Sequence, residues 1–239
     1  MDALGKPEPV AAWKTVVFDA VGTLIHPRVP VYQTYAEIAR RFGIEVSAEQ
    51  IAKRFSDAYR LHGRKSYADW GLAEGVRGVD YESTEVRRWR AIVGAVFLES
   101  SSMERLFSEL WDYYAAPQHW CVFDDVERTW AALRARGIQI VIASNFDQRL
   151  VQIQQQCRVL STCDRLFISS QVGFVKPQPG FYRAISDELR LQPDHMLMVG
   201  DDWENDYLAP RRAGWQAVPL RRRDDSSNPP AIRSLDALR

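Results

Sequence analysis

Four short apolar runs, each stopping at a polar or acidic residue and each followed by a helical pattern, constrain the fold of this chain more than any other feature. Thr15-Val16-Val17-Phe18 stops at Asp19, Ile138-Gln139-Ile140-Val141-Ile142-Ala143 at Ser144-Asn145, Leu166-Phe167-Ile168 at Ser169-Ser170, and Met196-Leu197-Met198-Val199 at Gly200-Asp201-Asp202. Short continuous runs of β-branched and large apolar residues are the pattern of strands buried on both faces. Gln216 to Leu220 is a candidate fifth. Between the runs, Asp124 or Asp125 opens a helical stretch to Arg136 with Gly137 as its stop, and Asp147 opens one through Gln156. Pro179 stands at a first helical position in a stretch reaching towards Arg190, where its fixed φ is already helical. This alternation predicts a parallel sheet covered on both faces, a three-layer α/β core. Ligands of such sheets bind outside the carboxyl ends of the strands, and those ends here carry Asp19, Ser144 and Asp201.

From Arg28 to about Ala116 the pattern is helical only. Ser47-Ala48-Glu49-Gln50 and Ser101-Ser102-Met103-Glu104 both fit capping boxes, and Gly43 and Gly63 stand as C-terminal stops. The expected organisation is therefore a core built from residues 1–27 and 117–239, with an all-helical domain inserted at 28–116 after the first strand. With 239 residues, 46% of them hydrophobic, such a chain buries enough surface to hold itself together without metal or disulfides.

Lys plus Arg number 31 and Asp plus Glu number 31, so the chain lacks the basic excess that nucleic-acid or acidic-membrane partners require. Small-molecule chemistry is the expectation, with no nucleic acid and no membrane as partner. Three cysteines without a Cys-x-x-Cys pair suit a reducing compartment and structural roles. The N-terminal Met-Asp-Ala-Leu-Gly-Lys-Pro-Glu-Pro reads as neither signal peptide nor anchor, and no apolar run approaches the roughly 18 residues of a membrane span. A cytoplasmic location is expected. The biased segment Arg221 to Pro230 reads as a solvated loop.

An Asp at a strand end before a glycine turn, as in Asp19-Ala20-Val21-Gly22-Thr23, is by itself ordinarily a structural cap. Here it has company in a definite order: Ser144-Asn145 after the second strand, Lys176-Pro177 after the third, and Gly200-Asp201-Asp202-Trp203-Glu204-Asn205-Asp206 after the fourth. In these four motifs, their order and their strand-end placement, the chain resembles the haloacid dehalogenase (HAD) superfamily of hydrolases. Within it, Ala143 to Leu150, Lys176 to Pro179 and Leu208 to Gly214 look like the "rhythmically expressed gene"-like branch, the third type of HAD-like hydrolase domain proteins.

The resemblance implies a Rossmann-like core with a helical cap that closes over it. It makes Asp19 a nucleophile that would form an acyl-phosphate, with Ser144 and Lys176 as its catalytic partners. Gly22, Thr23 and Asn145 would contact the transferring group of a small phosphorylated substrate. Mg²⁺ would be held by Asp19, the backbone carbonyl of Val21 and Asp201, with Asp202 and Asp206 in support. A hard cation and a fixed ammonium are what a carboxylate needs to attack a phosphate dianion. One position departs from the pattern. Members that hydrolyse phosphate esters carry a second Asp two residues after the nucleophile, as general acid and base, and here that residue is Val21. Losing such a group typically lowers a rate about 10²–10⁴-fold. Three readings follow: a Mg²⁺-dependent phosphatase whose leaving group needs little protonation or that uses another acid, a metal-independent 2-haloacid dehalogenase, or a catalytically weak binding protein. The acidic run after the fourth strand favours the first.

Trp89 with Val93 and Val96, and Leu106 with Leu110 and Tyr113, fall at helical spacings. The cap aromatics, which include Tyr59, Tyr67, Trp111 and Tyr114, therefore read as core packing, with Trp70 the expected exception. His26 and Arg28 read as loop residues near the site mouth, and Lys53 and Lys65 as solvated cap lysines rather than Schiff-base formers.

Overall fold

The structure is a computed structural model that describes residues 13–98, 101–222 and 231–239. The N-terminal segment read above and most of the biased segment after Arg222 lie outside the described residues. Strands β1 (Thr15–Phe18), β4 (Gln139–Ser144), β5 (Arg165–Ile168), β6 (Met196–Gly200) and β7 (Gln216–Pro219) form one five-stranded sheet in the order β5-β4-β1-β6-β7, every pair parallel. Each expected run is a strand, with its ends shifted by a residue or so. The α/β core is thus observed.

Alternation within β1 and β4 feeds two cores. Val16, Phe18, Ile140 and Ile142 face a cluster completed by Trp130 and Leu133 of α5 (Val126–Ala135) and by Leu150 and Ile153 of α6 (Gln148–Gln156). Val17, Val141 and Ala143 face the opposite layer, with Phe181, Tyr182 and Ile185 of α8 (Pro179–Leu189) and Trp215. The short α7 (Ser169–Val172) follows β5, and α9 (Ala209–Arg212) precedes β7.

Among the described residues the segment between β2 (Ile25–Pro27) and β3 (Trp120–Val122) is helical, with α1 (Val31–Arg41), α2 (Ala48–Ala58), α3 (Tyr81–Phe97) and α4 (Met103–Ala115). These helices share a cluster of their own, in which Tyr35, Ile38, Ile51, Ile92, Val96 and Leu106 are buried. The sequence pattern did not suggest β2 and β3. They pair antiparallel, Ile25 opposite Val122 and Pro27 opposite Trp120, and so tie together the two ends of the helical segment.

Local details both follow and depart from expectation. Ser47 and Gln50 form the reciprocal capping box at α2, but no side chain caps α4 at Ser102. Asp147 caps α6 by accepting from Arg149 N at 3.1 Å. Asp125 does not cap α5; its buried carboxylate takes Arg222 bidentately at 2.9 and 2.9 Å and accepts from Ser234 Oγ and Leu235 N at 2.8 Å each. Arg222, expected in a solvated loop, also lies over the Phe123 ring at 3.8 Å. A buried carboxylate needs a charged partner more than a helix end needs a cap, and that preference redirects both residues.

Ile142 is fully buried in β4, between β1 and β5. Ile142→Ala should lower unfolding stability by about 2–5 kcal/mol, read from a urea midpoint shift at unchanged slope; a change under about 1 kcal/mol would contradict the layer assignment.

Candidate active site

Asp19 immediately follows β1, and its backbone N–H continues the ladder to Val199 O at 3.0 Å. The chain then turns back within residues 20–25, where Leu24 N and Ile25 N both donate to Ala20 O, at 2.8 and 2.9 Å. Gly22 holds φ +89° in that turn, and a Cβ there would lie 2.3 Å from Asp201 Oδ2. A Cβ at Gly200 would meet Asp206 Cγ at 2.3 Å. Both glycines therefore serve the carboxylates packed against them. Thr23 is buried behind the same carboxylate, its Oγ1 3.5 Å from Asp201 Oδ1. Neither Gly22 nor Thr23 lines the cavity described below.

Three further segments bring the remaining side chains together. Lys176 Nζ donates to Asp19 Oδ1 and to Asp206 Oδ1, at 2.7 Å each, and Ser144 Oγ at the end of β4 donates to Asp19 Oδ1 at 3.2 Å. Asn145 holds the Lys176 loop, donating from Nδ2 to Lys176 O at 2.8 Å and accepting from Lys176 N at 2.7 Å. Its side chain is thus engaged in placing the ammonium. Asp202 accepts from Glu204 N at 3.0 Å and Asn205 N at 2.9 Å, capping the turn that carries Asp206. Asp206 in turn accepts from Asp202 N at 3.1 Å.

Carboxylate oxygens of Asp19, Asp201 and Asp206 lie within 4.8 Å of one another. Burial opposes the charge on Lys176, but Asp19 and Asp206 outweigh it and raise its pKa. Asp201 is pushed up from 3.8 to about 6, first by desolvation and then by the charge of Asp19. Burial, reinforced by Asp19 and opposed by Lys176, pushes Asp206 up to about 7. Three carboxylates facing one ammonium leave negative charge unbalanced. An oxygen-only donor set of this size fits a hard divalent cation, and Asp201, whose nearest hydroxyl contact is the long one to Thr23, is free to serve as a ligand.

Above this floor lies a cavity of about 340 Å³ shared by core and cap. Asp19, Val21, Ser144, Asn145, Lys176, Asp201, Asp202 and Asp206 form its polar end with Val21 among them, and Tyr35, Phe55, Tyr59, Trp89, Trp111, Tyr114, Trp120 and Phe146 are among its walls. Trp89 and Trp111 also pack against the cap core, so helical spacing located them correctly without showing which edge meets open space. Trp70, the expected exception, is not on the cavity; Lys65 and Arg87 lie over its ring, 5.4 and 5.8 Å away. Neither lysine of the cap lines the cavity, nor do His26 and Arg28. His26 Nδ1 instead approaches Pro27 O at 2.9 Å, and Arg28 Nε donates to Gln118 O at 2.9 Å. Arg149 was not anticipated. It lines the cavity while paired bidentately with Asp147 at 2.8 and 2.6 Å, and its guanidinium stacks 3.5 Å over Trp111. The acid and base two residues apart in Asp147-Gln148-Arg149 were its available signal. Core and cap meet through Arg64 and Asp202 at 3.1 Å, Gln178 and Glu74 at 2.9 and 2.8 Å, and Gln148 N and Glu82 at 3.1 Å.

A family model described as haloacid dehalogenase-like hydrolase matches residues 13–214. The chain is 26% identical to haloacid dehalogenase-like hydrolase domain-containing protein 3 of Xenopus laevis, over 84% of this chain and 81% of that one. It is 22% identical to the rhythmically expressed gene 2 protein of Drosophila melanogaster, over 87% and 83%. Its fold is shared with the putative HAD-hydrolase YfnB from Bacillus subtilis bound to magnesium (TM-score 0.72, 15% identity, 95% of this chain and 97% of that one). A HAD phosphatase from Thermococcus onnurineus gives 0.64 at 22% identity (94% and 95%), and a dehalogenase 0.68 at 17% (96% and 97%). Among the described residues no helix is long and apolar enough to cross a membrane.

Asp201 and Asp206 both hold their protons more tightly in the folded chain than at the ordinary value of 3.8. Between about pH 4 and about pH 7 the folded state therefore binds more protons than the unfolded one, and stability falls as pH rises through that window. In chelator, thermal melting should show this fall, a shallower fall in Asp201→Asn, and recovery of the wild-type Tm on adding Mg²⁺ at the upper end. Parallel curves for the two proteins would contradict the assignment of the strain to Asp201.

Proposed function

Because the chain belongs to the haloacid dehalogenase-like hydrolase family, we propose that it is a Mg²⁺-dependent phosphatase of a small phosphorylated molecule, working through a phosphoryl group carried on Asp19. The observation that carries this reading is the convergence of Lys176 Nζ at 2.7 Å and Ser144 Oγ at 3.2 Å on one oxygen of Asp19. That oxygen is held, and no described residue donates to the other, which is the condition for a carboxylate to act as nucleophile.

In this mechanism Asp19 Oδ2 attacks phosphorus while the bond to the leaving oxygen breaks, its electron pair departing with that oxygen. Ser144 and Lys176 orient the carboxylate and meet the charge on the transferring oxygens. Asp206 holds Lys176 at 2.7 Å, and Asp202 holds the turn that bears Asp206. Water then attacks phosphorus, the bond to Asp19 breaks, and inorganic phosphate leaves. Asp19, Asp201 and the Val21 carbonyl would hold Mg²⁺, which would supply the charge that offsets repulsion between nucleophile and phosphate. The docked cap limits water at the nucleophile.

A second reading, metal-independent dehalogenation of 2-haloacids, is favoured by Val21, because a halide leaves without a proton. The cluster of Asp19, Asp201 and Asp206 weighs against it, since three acids beside one lysine serve a cation better than they serve an anionic haloacid.

Phosphate release from a panel of phosphorylated metabolites and acetyl phosphate should require Mg²⁺, fall at least about 100-fold in chelator, and vanish in Asp19→Asn. Val21→Asp should raise turnover of alkyl esters by up to about the 10²–10⁴-fold attributed to a positioned acid and base. Halide release from 2-haloacids that persists in chelator would overturn the phosphatase reading.

A further inference from the structure

Two independent features of the cavity bear on what leaves from phosphorus. The first is Val21, which lines the polar end beside Asp19 and Asp201 and has no proton to give. The second is the wall. Phe55, Tyr35, Tyr114, Trp120 and Phe146 form a chain of ring contacts, with centroids 5.6, 6.3, 5.9 and 6.2 Å apart in succession, and all five line the cavity. The belt runs from cap helix α2 to the loop after β4 in the core. The cavity of about 340 Å³ is about twice the roughly 150 Å³ that admits a benzene molecule in an apolar interior. It therefore has room for an aromatic body in addition to a phosphoryl group.

Two of the charged side chains in the cavity are already committed. Arg149 is neutralised by Asp147 and pressed onto Trp111, and Lys176 is neutralised by Asp19 and Asp206. A sugar phosphate would set several hydroxyl groups against ring faces, where the hydroxyls of Tyr35, Tyr59 and Tyr114 are the main partners on offer, and each hydroxyl left unpaired is penalised. A flat apolar group meets the rings edge-on or offset, the contacts aromatic side chains prefer.

Resting on the phosphatase reading above, we propose that the substrate is an aryl phosphate, the phosphate ester of a phenol-type oxygen, whose ring occupies the aromatic belt and whose oxygen leaves unprotonated past Val21. Asp19 Oδ2 forms the new bond to phosphorus, the phosphorus–aryl oxygen bond breaks, and its electron pair departs as the phenolate, which takes a proton from solvent after release. A phenol ionises near pH 10, whereas an alkanol is close to water at about 16. This difference of roughly six units is what allows the first step to proceed without the acid that an alkyl ester requires. The second step has no base at position 21 to deprotonate water, so the phosphorylated enzyme accumulates and aryl alcohol appears in a burst of one per active site before slow turnover.

Four probes separate the two features: phenyl phosphate, benzyl phosphate, acetyl phosphate and ethyl phosphate. Phenyl and benzyl share the ring but differ in leaving oxygen; acetyl phosphate has a good leaving group and no ring. With Mg²⁺ and wild-type protein, phenyl phosphate should exceed benzyl phosphate at least about 100-fold in kcat/KM, with burst kinetics, and should show a KM at least about tenfold below that of acetyl phosphate. Phe55→Leu and, as a second variant, Phe146→Leu should raise the KM for phenyl and benzyl phosphates and leave that for acetyl phosphate unchanged. Equal kcat/KM for phenyl and benzyl phosphates, or a lower KM for acetyl phosphate, would overturn the aryl assignment while leaving the phosphatase reading intact. Asp19-dependent turnover of none of the four would sink the phosphatase reading itself.

Discussion

The ammonium of Lys176, buried between Asp19 and Asp206 at 2.7 Å from each, is the interaction on which the rest of the site depends. An uncompensated charge at that depth would be strongly destabilising, so the loop after β5 and the turn after β6 are placed together or not at all. Asn145 secures the lysine from β4, and Asp202 secures Asp206 from the end of β6. Four segments far apart in sequence are thus locked at one sheet edge by a single charge. The sheet order makes this possible, because β1 lies at the centre with β4 on one side and β6 on the other.

Much of this was legible in the chain itself, for a physical reason. Strands buried on both faces have no polar alternation, so their ends are marked by the first polar residue, and Asp19, Ser144 and Asp201 were visible as such. What escaped was set by partners remote in sequence. Asp125 looks like a helix cap until Arg222 arrives from nearly a hundred residues away. The strand pair β2 and β3 is too short to show a period, and its pairing exists only because the helical segment folds back. Gly22 and Thr23 sit in the expected motif and pack on Asp201, a relation that exists only once the turn after β1 meets the turn after β6. Trp89 and Trp111 were assigned to packing because helical spacing reports which face is buried, not whether a void lies beyond it.

Core and cap divide the labour. The core presents charge: three carboxylates and one ammonium within a few ångströms, with Asp201 and Asp206 pushed to about 6 and about 7. The cap presents rings, with the hydroxyls of Tyr35, Tyr59 and Tyr114 among them. Val21 belongs to the core motif by position and to the cap by chemistry, an apolar residue at the boundary where a proton donor would otherwise stand. The missing acid and the apolar wall are two faces of one environment, suited to a leaving group with an apolar body whose oxygen departs without protonation.

The central claim is that Asp19 itself becomes covalently phosphorylated, and rapid acid quenching followed by peptide mass spectrometry tests it most directly. With Mg²⁺ and a phosphoryl donor, the peptide bearing Asp19 should carry one phosphoryl group, labile to hydroxylamine and absent in Asp19→Asn. Phosphate release with no modified peptide at any quench time would contradict it.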